Sequence, residues 1–315
     1  MHKRTLPYLH HLSSAPLMME EIQSLLTEKG ALLIKGMNFQ SAESFNKWLI
    51  GFAGIENLAD YTGGTSPRSK KSSHVYNSTA APRFIKIGLH NEMTYSKNPP
   101  HTVIFYCLHA PLKKGQTPLA DSLAIYKSMQ SADSHFVEEV KRKKMTYHRR
   151  LFPKNKMRLA FFLKAIHWEN IFKTSHKNIV EKKCAQNGQE FRWEKDHLIL
   201  KTIVPGIRIH PLLQKPSWFN TAHLFLSDKM VWGAPLSLII KFFKFISKKS
   251  GTYITFGDGS PISNSQKRLA YHIVEKHTQF FNWEDGDLLI IDNLQVAHGR
   301  MPFKGEREIL VGLLK

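Results

Sequence analysis

A chain of 315 residues, 42% hydrophobic and 11% aromatic, can bury a sizeable core in one large domain or two small ones. Its two cysteines, Cys107 and Cys184, with no C-x-x-C, exclude a disulfide framework and fit a reduced, cytoplasmic protein. The net charge of +20 invites a nucleic-acid or membrane-surface partner, but where that charge sits matters more than its total.

In chain order, the opening "MHKRTLPYLHHLSSAP" carries charge but no continuous apolar run, and no signal peptide is expected. Residues 14–30 place apolar side chains at helical spacing and end on Gly30, and 31–37 follow as a strand. A second amphipathic helix is predicted from Ser41 to Phe52. "HTVIFYCLHAP" (101–111) alternates and is rich in β-branched and aromatic residues, which predicts another strand. Residues 119–129 and 133–143 read as helices. The most apolar stretch, 233–249, is interrupted by Lys241 and Lys244 well before it could cross a bilayer, so no membrane span is expected. Near the C-terminus, 285–293 and 307–315 are apolar runs with turn residues between them, again strand-like.

The charge is regional. Between Lys141 and Lys183 fourteen Lys/Arg stand against two acids, Glu169 and Glu181, so this stretch holds twelve of the twenty excess charges. Its mixture of basic and aromatic residues is what single-strand binders use. It contains no recognisable nucleic-acid motif, however, and nucleic acid is not the expected partner. The alternative is a solvated basic face.

No internal repeat, low-complexity linker or Pro/Gly-rich hinge divides the chain, so 1–315 is expected to be a single domain with a basic, lid-like insertion around 141–200. Strands concentrate around the polar motifs, which predicts an α+β, mostly β fold: a sandwich or barrel wrapped by helices. No G-x-G-x-x-G follows a strand, and G-x-x-x-x-G-K-[ST], G-x-S-x-G and H-E-x-x-H are absent. Dinucleotide sites, P-loops and two common hydrolase classes are thereby disfavoured.

"GLHNEMTY" (88–95) sets His90 and Glu92 two apart at a predicted strand end. On a strand both side chains point the same way and can reach one ion. Two polar residues on a wet strand face would look the same, so a third ligand is needed. After the apolar run ending at Asn293, His298 and Arg300 lie two apart and Arg307 enters the last strand. If His298 faces His90 and Glu92, two imidazoles and a carboxylate meet with coordination positions left open. That is the facial triad of non-haem Fe(II) oxygenases.

Six stretches in this order carry a resemblance: "YTGGTSPR" (61–68), "LHNEMTYSKNPP" (89–100), "GQTPLADS" (115–122), "WFN" (218–220), "GDGSPIS" (257–263) and "DNLQVAHGRMPFKGER" (292–307). Together they resemble the Fe(II)/2-oxoglutarate dioxygenases of the taurine dioxygenase and clavaminate synthase type over most of the chain. The resemblance implies a double-stranded β-helix, or jelly roll, with flanking helices. It implies Fe(II), 2-oxoglutarate and O2 as cofactors, with His90, Glu92 and His298 as metal ligands and catalytic centre. Arg307 matches the arginine that holds the distal carboxylate of 2-oxoglutarate, and Thr117 the threonine beside it. Arg300 either supports the co-substrate or braces the loop. A planar, permanently charged guanidinium suits that carboxylate where an ammonium does not. Glu92 stands where halogenating relatives have a small residue, which disfavours halogenation, and glutamate there looks more like the clavaminate synthase branch.

The expected function is hydroxylation of an amino acid or its carrier-tethered form in a biosynthetic pathway. Desaturation or ring closure would use the same residues. Rival readings are an oxygenase of another small acid, a non-catalytic binding member, or a nucleic-acid-acting member. The other histidines, His10, His11, His101, His109, His210, His223, His272 and His277, are read as surface or hydrogen-bonded core residues. Phe280, Phe281 and Cys107 are read as core.

Overall fold

The structure is a computed structural model that describes residues 5–10, 18–61, 68–79, 81–154, 167–226 and 252–315. Two antiparallel-dominated sheets face each other. The larger has six strands in the order Tyr8–His10, Ala31–Ile34, Leu288–Asp292, Thr102–His109, Glu308–Leu314 and Tyr76–Asn77. Only its first pair is parallel. The smaller has four, in the order Thr278–Phe281, Thr117–Asp121, Val296–Arg300 and Ile87–His90.

The alternation expected in 101–111 is not one of buried and exposed positions. Val103, Phe105 and Cys107 pack toward the smaller sheet with Leu119 and Val296, while Ile104 and Tyr106 pack with Ile22, Leu26, Phe45 and Leu49 of two helices. The strand is central and covered on both faces, so it is apolar throughout. Those helices are Met19–Lys29, ended by Gly30 at φ 81°, and Ala42–Ala53, opened by a Ser41–Ser44 capping box. The far face of the smaller sheet, through Leu89, Ala120 and Ala297, packs on a third layer. That layer contains the helices Ser122–Ala132, Ser134–Lys143 and Asn264–Lys276.

Two predicted elements need correction. Residues 119–121 are not helical: Thr117–Asp121 is a strand paired on both sides, and the helix starts at Ser122 with the Asp121 carboxylate accepting from Leu123 and Ala124. In the basic stretch 141–183, within the lid-like insertion expected around 141–200, the described residues do not all lie at the surface. Its start ends a helix on which Lys141 and Lys143 pair with Glu138 and Glu139 at 2.7 and 2.9 Å. Met145–Leu151 is then an interior strand between His197–Val204 and Thr252–Phe256, because Met145, Tyr147 and Leu151 are core residues. Residues 11–17, 62–67, 155–166 and the apolar stretch 233–249 lie outside the described residues.

Candidate metal centre

Period-2 geometry aims the histidines. Leu89 and Ala297 point to the outer layer, so His90 and His298 point into the space between the two sheets. They stand directly opposite each other in adjacent strands, with ring centroids 4.7 Å apart. Glu92 arrives by another route. The strand stops at His90, and Glu92 sits in the following turn, where Met93 takes φ 55°. Its i, i+2 spacing from His90 therefore does not set its placement. Asn293 supplies the placement: its Oδ1 accepts from the Glu92 N–H at 2.6 Å, and its Nδ2 donates to the carbonyls of Glu92 and Pro100 at 3.0 and 2.7 Å.

The result is one group of His90, Glu92 and His298 whose potential ligand atoms all lie within 4.8 Å of one another. Among the described residues no other such cluster occurs. His90 Nδ1 donates to the Gly88 carbonyl at 2.9 Å, which leaves Nε2 with its lone pair for an ion. Burial, then His298, lowers the His90 imidazole to about 4, so it is neutral at physiological pH, as a ligand must be. His298 Nε2 lies 3.7 Å from Glu92 Oε2. Burial alone would raise the Glu92 carboxyl. Arg68, whose Nη2 is 2.5 Å from Oε2, outweighs it together with His298 and His90 and holds the group well below the usual carboxylate range. The donor set is two nitrogens and an ionised oxygen on one side of a cavity, which fits a divalent transition metal.

Thr117, Arg300 and Arg307 line the same cavity. Thr117 Oγ1 accepts from Trp283 Nε1 at 2.9 Å. Arg307 donates from Nη1 to the Ser78 hydroxyl at 3.3 Å, while its Nε is buried without a hydrogen-bond partner among the described residues. Burial, then Arg300, lowers it to about 10, which still leaves it charged at neutral pH. A cation so placed fits a carboxylate ligand. Arg300 is engaged elsewhere. Its Nη1 donates to the Ala81 carbonyl at 2.9 Å and its Nη2 to those of Pro82 and Ile85 at 2.7 and 2.8 Å. Of the two roles open to it, the geometry favours bracing the loop.

Three of the histidines set aside have ordinary partners. His210 pairs with Asp292 at 2.8 Å, His223 bonds the Leu89 carbonyl at 2.9 Å, and His277 meets the Ser128 hydroxyl at 2.8 Å. Phe281 packs on Trp283, but Phe280 is exposed, so only half of that pair belongs to the core. Arg68, Tyr61 and Asn293 also belong to the site; all three lie inside the quoted motifs, but no ligand spacing marks them.

The family model "Taurine catabolism dioxygenase TauD, TfdA family" matches residues 3–314. The chain belongs to this family. It is a dioxygenase with the mixed, mostly antiparallel architecture and jelly-roll core that the motifs implied. It is 31% identical to the dapdiamide synthesis protein DdaC of Enterobacter agglomerans over 294 residues, 93% of this chain and 84% of that one. To a clavaminate synthase-like protein of Arabidopsis thaliana it is 28% identical over 299 residues, with the same shares. Among solved structures, a taurine dioxygenase from Burkholderia xenovorans superposes with a TM-score of 0.51 at 13% identity, covering 98% of this chain and 86% of that one. PvcB of Pseudomonas aeruginosa gives 0.50 at 16% identity over 97% and 84%. At these identities the structural likeness speaks for the fold.

Proposed function

We propose that this family member is an Fe(II)- and 2-oxoglutarate-dependent oxygenase that hydroxylates an amino acid, free or tethered to a carrier protein, in a biosynthetic pathway. The observation that carries the proposal is the His90–Glu92–His298 cluster sharing a cavity with the buried cation Arg307. DdaC is named for dapdiamide synthesis, and PvcB is described as an Fe, alpha-ketoglutarate dependent oxygenase from an isonitrile synthetic pathway. Both names support a biosynthetic setting.

His90, Glu92 and His298 would hold the iron, and Arg307, with Thr117 beside it, would receive the distal carboxylate of 2-oxoglutarate. Bound iron and co-substrate supply the oxidising chemistry: O2 converts 2-oxoglutarate to succinate and CO2, and one oxygen atom goes to the substrate. The chain's own residues do the rest. The Gly88 carbonyl sets the His90 tautomer, Asn293 fixes the turn that carries Glu92, and apolar Phe105 against His298 helps keep water from the centre. We place the chain in the cytoplasm as one domain. Both cysteines are free and buried, and burial raises Cys107 to about 12 and Cys184 to about 11, which leaves them unreactive thiols. Among the described residues no helix is long and apolar enough to cross a membrane.

The test is substitution of each ligand by alanine, with metal binding and succinate formation measured together. Loss of tight Fe(II) binding and of 2-oxoglutarate turnover in all three is expected. Normal succinate production by His298→Ala would remove the third ligand from the assignment.

A further inference from the structure

Arg68 ends the 61–68 motif and lines the same cavity as the three candidate ligands, with a side chain only 5% exposed. One of its nitrogens is used: Nη2 donates to Glu92 Oε2. Nε and Nη1 are buried and have no hydrogen-bond partner among the described residues. The guanidinium lies 4.6 Å from the centre of the Tyr61 ring, which holds its plane and leaves its edges to donate. Arg149, 4.8 Å over Tyr95, adds positive field near Tyr61.

The cavity's charge is unbalanced. Three arginines, Arg68, Arg300 and Arg307, stand against one carboxylate, Glu92. A divalent iron and a dianionic 2-oxoglutarate cancel each other, so the excess of two positive charges persists in the loaded site. With iron as its counter-ion, Glu92 no longer needs Arg68 for neutrality. Arg68 then keeps its charge and the N–H donors at Nε and Nη1, which a further anion would satisfy.

We infer that Arg68 is the docking cation for the substrate carboxylate that a carrier would otherwise hold as a thioester, so that the substrate is a free acid. The inference rests on the oxygenase reading and narrows it, because an aminoacyl thioester has no α-carboxylate to offer. Of the two forms proposed above, the free acid satisfies the site.

The probes are the proteinogenic amino acids and a set of dicarboxylic acids, each paired with its carboxamide, and the N-acetylcysteamine thioesters of the amino acids. Stimulated succinate formation and anaerobic calorimetric binding to the Fe(II)–2-oxoglutarate enzyme are measured for the wild type, Arg68→Met and Arg68→Lys. The stimulating compounds should be acids, with each amide at least roughly tenfold weaker in both readouts. That ratio should collapse toward one in Arg68→Met and be partly kept in Arg68→Lys. Any loss of iron affinity lowers acid and amide together, so the ratio isolates the contact. Should Arg68→Met fail to fold, the ratio in Arg68→Lys decides. An amide or thioester as effective as its acid, an unchanged ratio in the variants, or no acid that binds would overturn the inference. A wild type that binds neither Fe(II) nor 2-oxoglutarate would instead overturn the oxygenase reading beneath it.

Discussion

Asn293 and Glu92 are joined by two reciprocal hydrogen bonds across 201 residues of sequence: the Glu92 N–H to Asn293 Oδ1 and Asn293 Nδ2 to the Glu92 carbonyl. Asn293 also donates to Pro100, and its backbone N–H reaches the His101 carbonyl. One fully buried amide thus joins the turn after one sheet's strand to the turn that carries the carboxylate. Neither partner of that amide can be replaced by water at this depth.

Asn293→Leu should therefore cost roughly 2–4 kcal/mol of stability, since it orphans several buried groups at once. The same change should weaken Fe(II) binding by roughly ten- to a hundredfold, the usual scale for groups that orient a metal ligand. Titration of apo protein with Fe(II) under anaerobic conditions measures the second effect and urea unfolding the first. Unaltered Fe(II) affinity would show that the turn keeps Glu92 in place without help.

The two arginines at the cavity should separate by assay. Arg307→Lys should raise the 2-oxoglutarate KM at least about tenfold, because a point charge does not reproduce a two-pronged contact. Arg300→Lys should act mainly on stability, since a lysine cannot serve three carbonyls at Ala81, Pro82 and Ile85 together. Steady-state kinetics in 2-oxoglutarate and thermal unfolding on both variants decide the matter. An unchanged KM in Arg307→Lys with a raised one in Arg300→Lys would exchange the two roles.

What could be read from the chain in advance follows the range of the interactions. Helix starts at Ser41 and Asp133 and the stop at Gly30 depend on neighbours within a turn, and they stand where local chemistry puts them. The strand Thr117–Asp121 was misread because its apolar residues suit a helix equally well; its pairing with Phe281 and Val296 lies more than 160 residues away. His90 and His298 were legible through motif order, and the structure adds that they are paired across two strands. Arg68 and Asn293 were not, since their partners are set by folding alone. The basic stretch misled for a related reason. Composition counted Arg149 with the solvated lysines, whereas in the strand Met145–Leu151 it is 1% exposed.

His223 predicts an acid limit that is independent of metal. Burial lowers it to about 4, and its hydrogen bond to Leu89 only partly offsets that. Its folded-state value lies below the ordinary 6.5, so between pH 6.5 and 4 the unfolded chain binds more protons. The stability it contributes is present above about pH 6.5 and is lost as pH falls toward 4, up to roughly 3 kcal/mol at about 1.4 kcal/mol per unit. His223→Gln can still donate to the Leu89 carbonyl but does not titrate. Urea midpoints of the chelator-treated protein at pH 7 and pH 5 should differ less in this variant than in the wild type. Equal differences would place the acid sensitivity elsewhere.

The last prediction concerns Gly299, between His298 and Arg300 at an irregularity in strand pairing. A Cβ there would stand 2.6 Å from the Ile87 carbonyl oxygen and 3.1 Å from Pro118 Cγ, atoms of the strands on either side. The nearer one is backbone, so it cannot turn aside as a flexible side chain would. Gly299→Ala must push Ile87–His90 away from Val296–Arg300, and that movement carries His90 away from His298. The expected outcome is roughly 1–3 kcal/mol of overpacking cost, with Fe(II) affinity reduced alongside. Gly51 provides the comparison: it lies in the helix Ala42–Ala53, and nothing is within 4 Å of its added Cβ. Gly51→Ala should be neutral or stabilising by up to about 1 kcal/mol, because alanine is the better helix former. Melting temperature and Fe(II) titration of the two variants side by side test the idea. Should Gly299→Ala retain wild-type metal affinity, the separation of the two histidine strands would not be what limits the site.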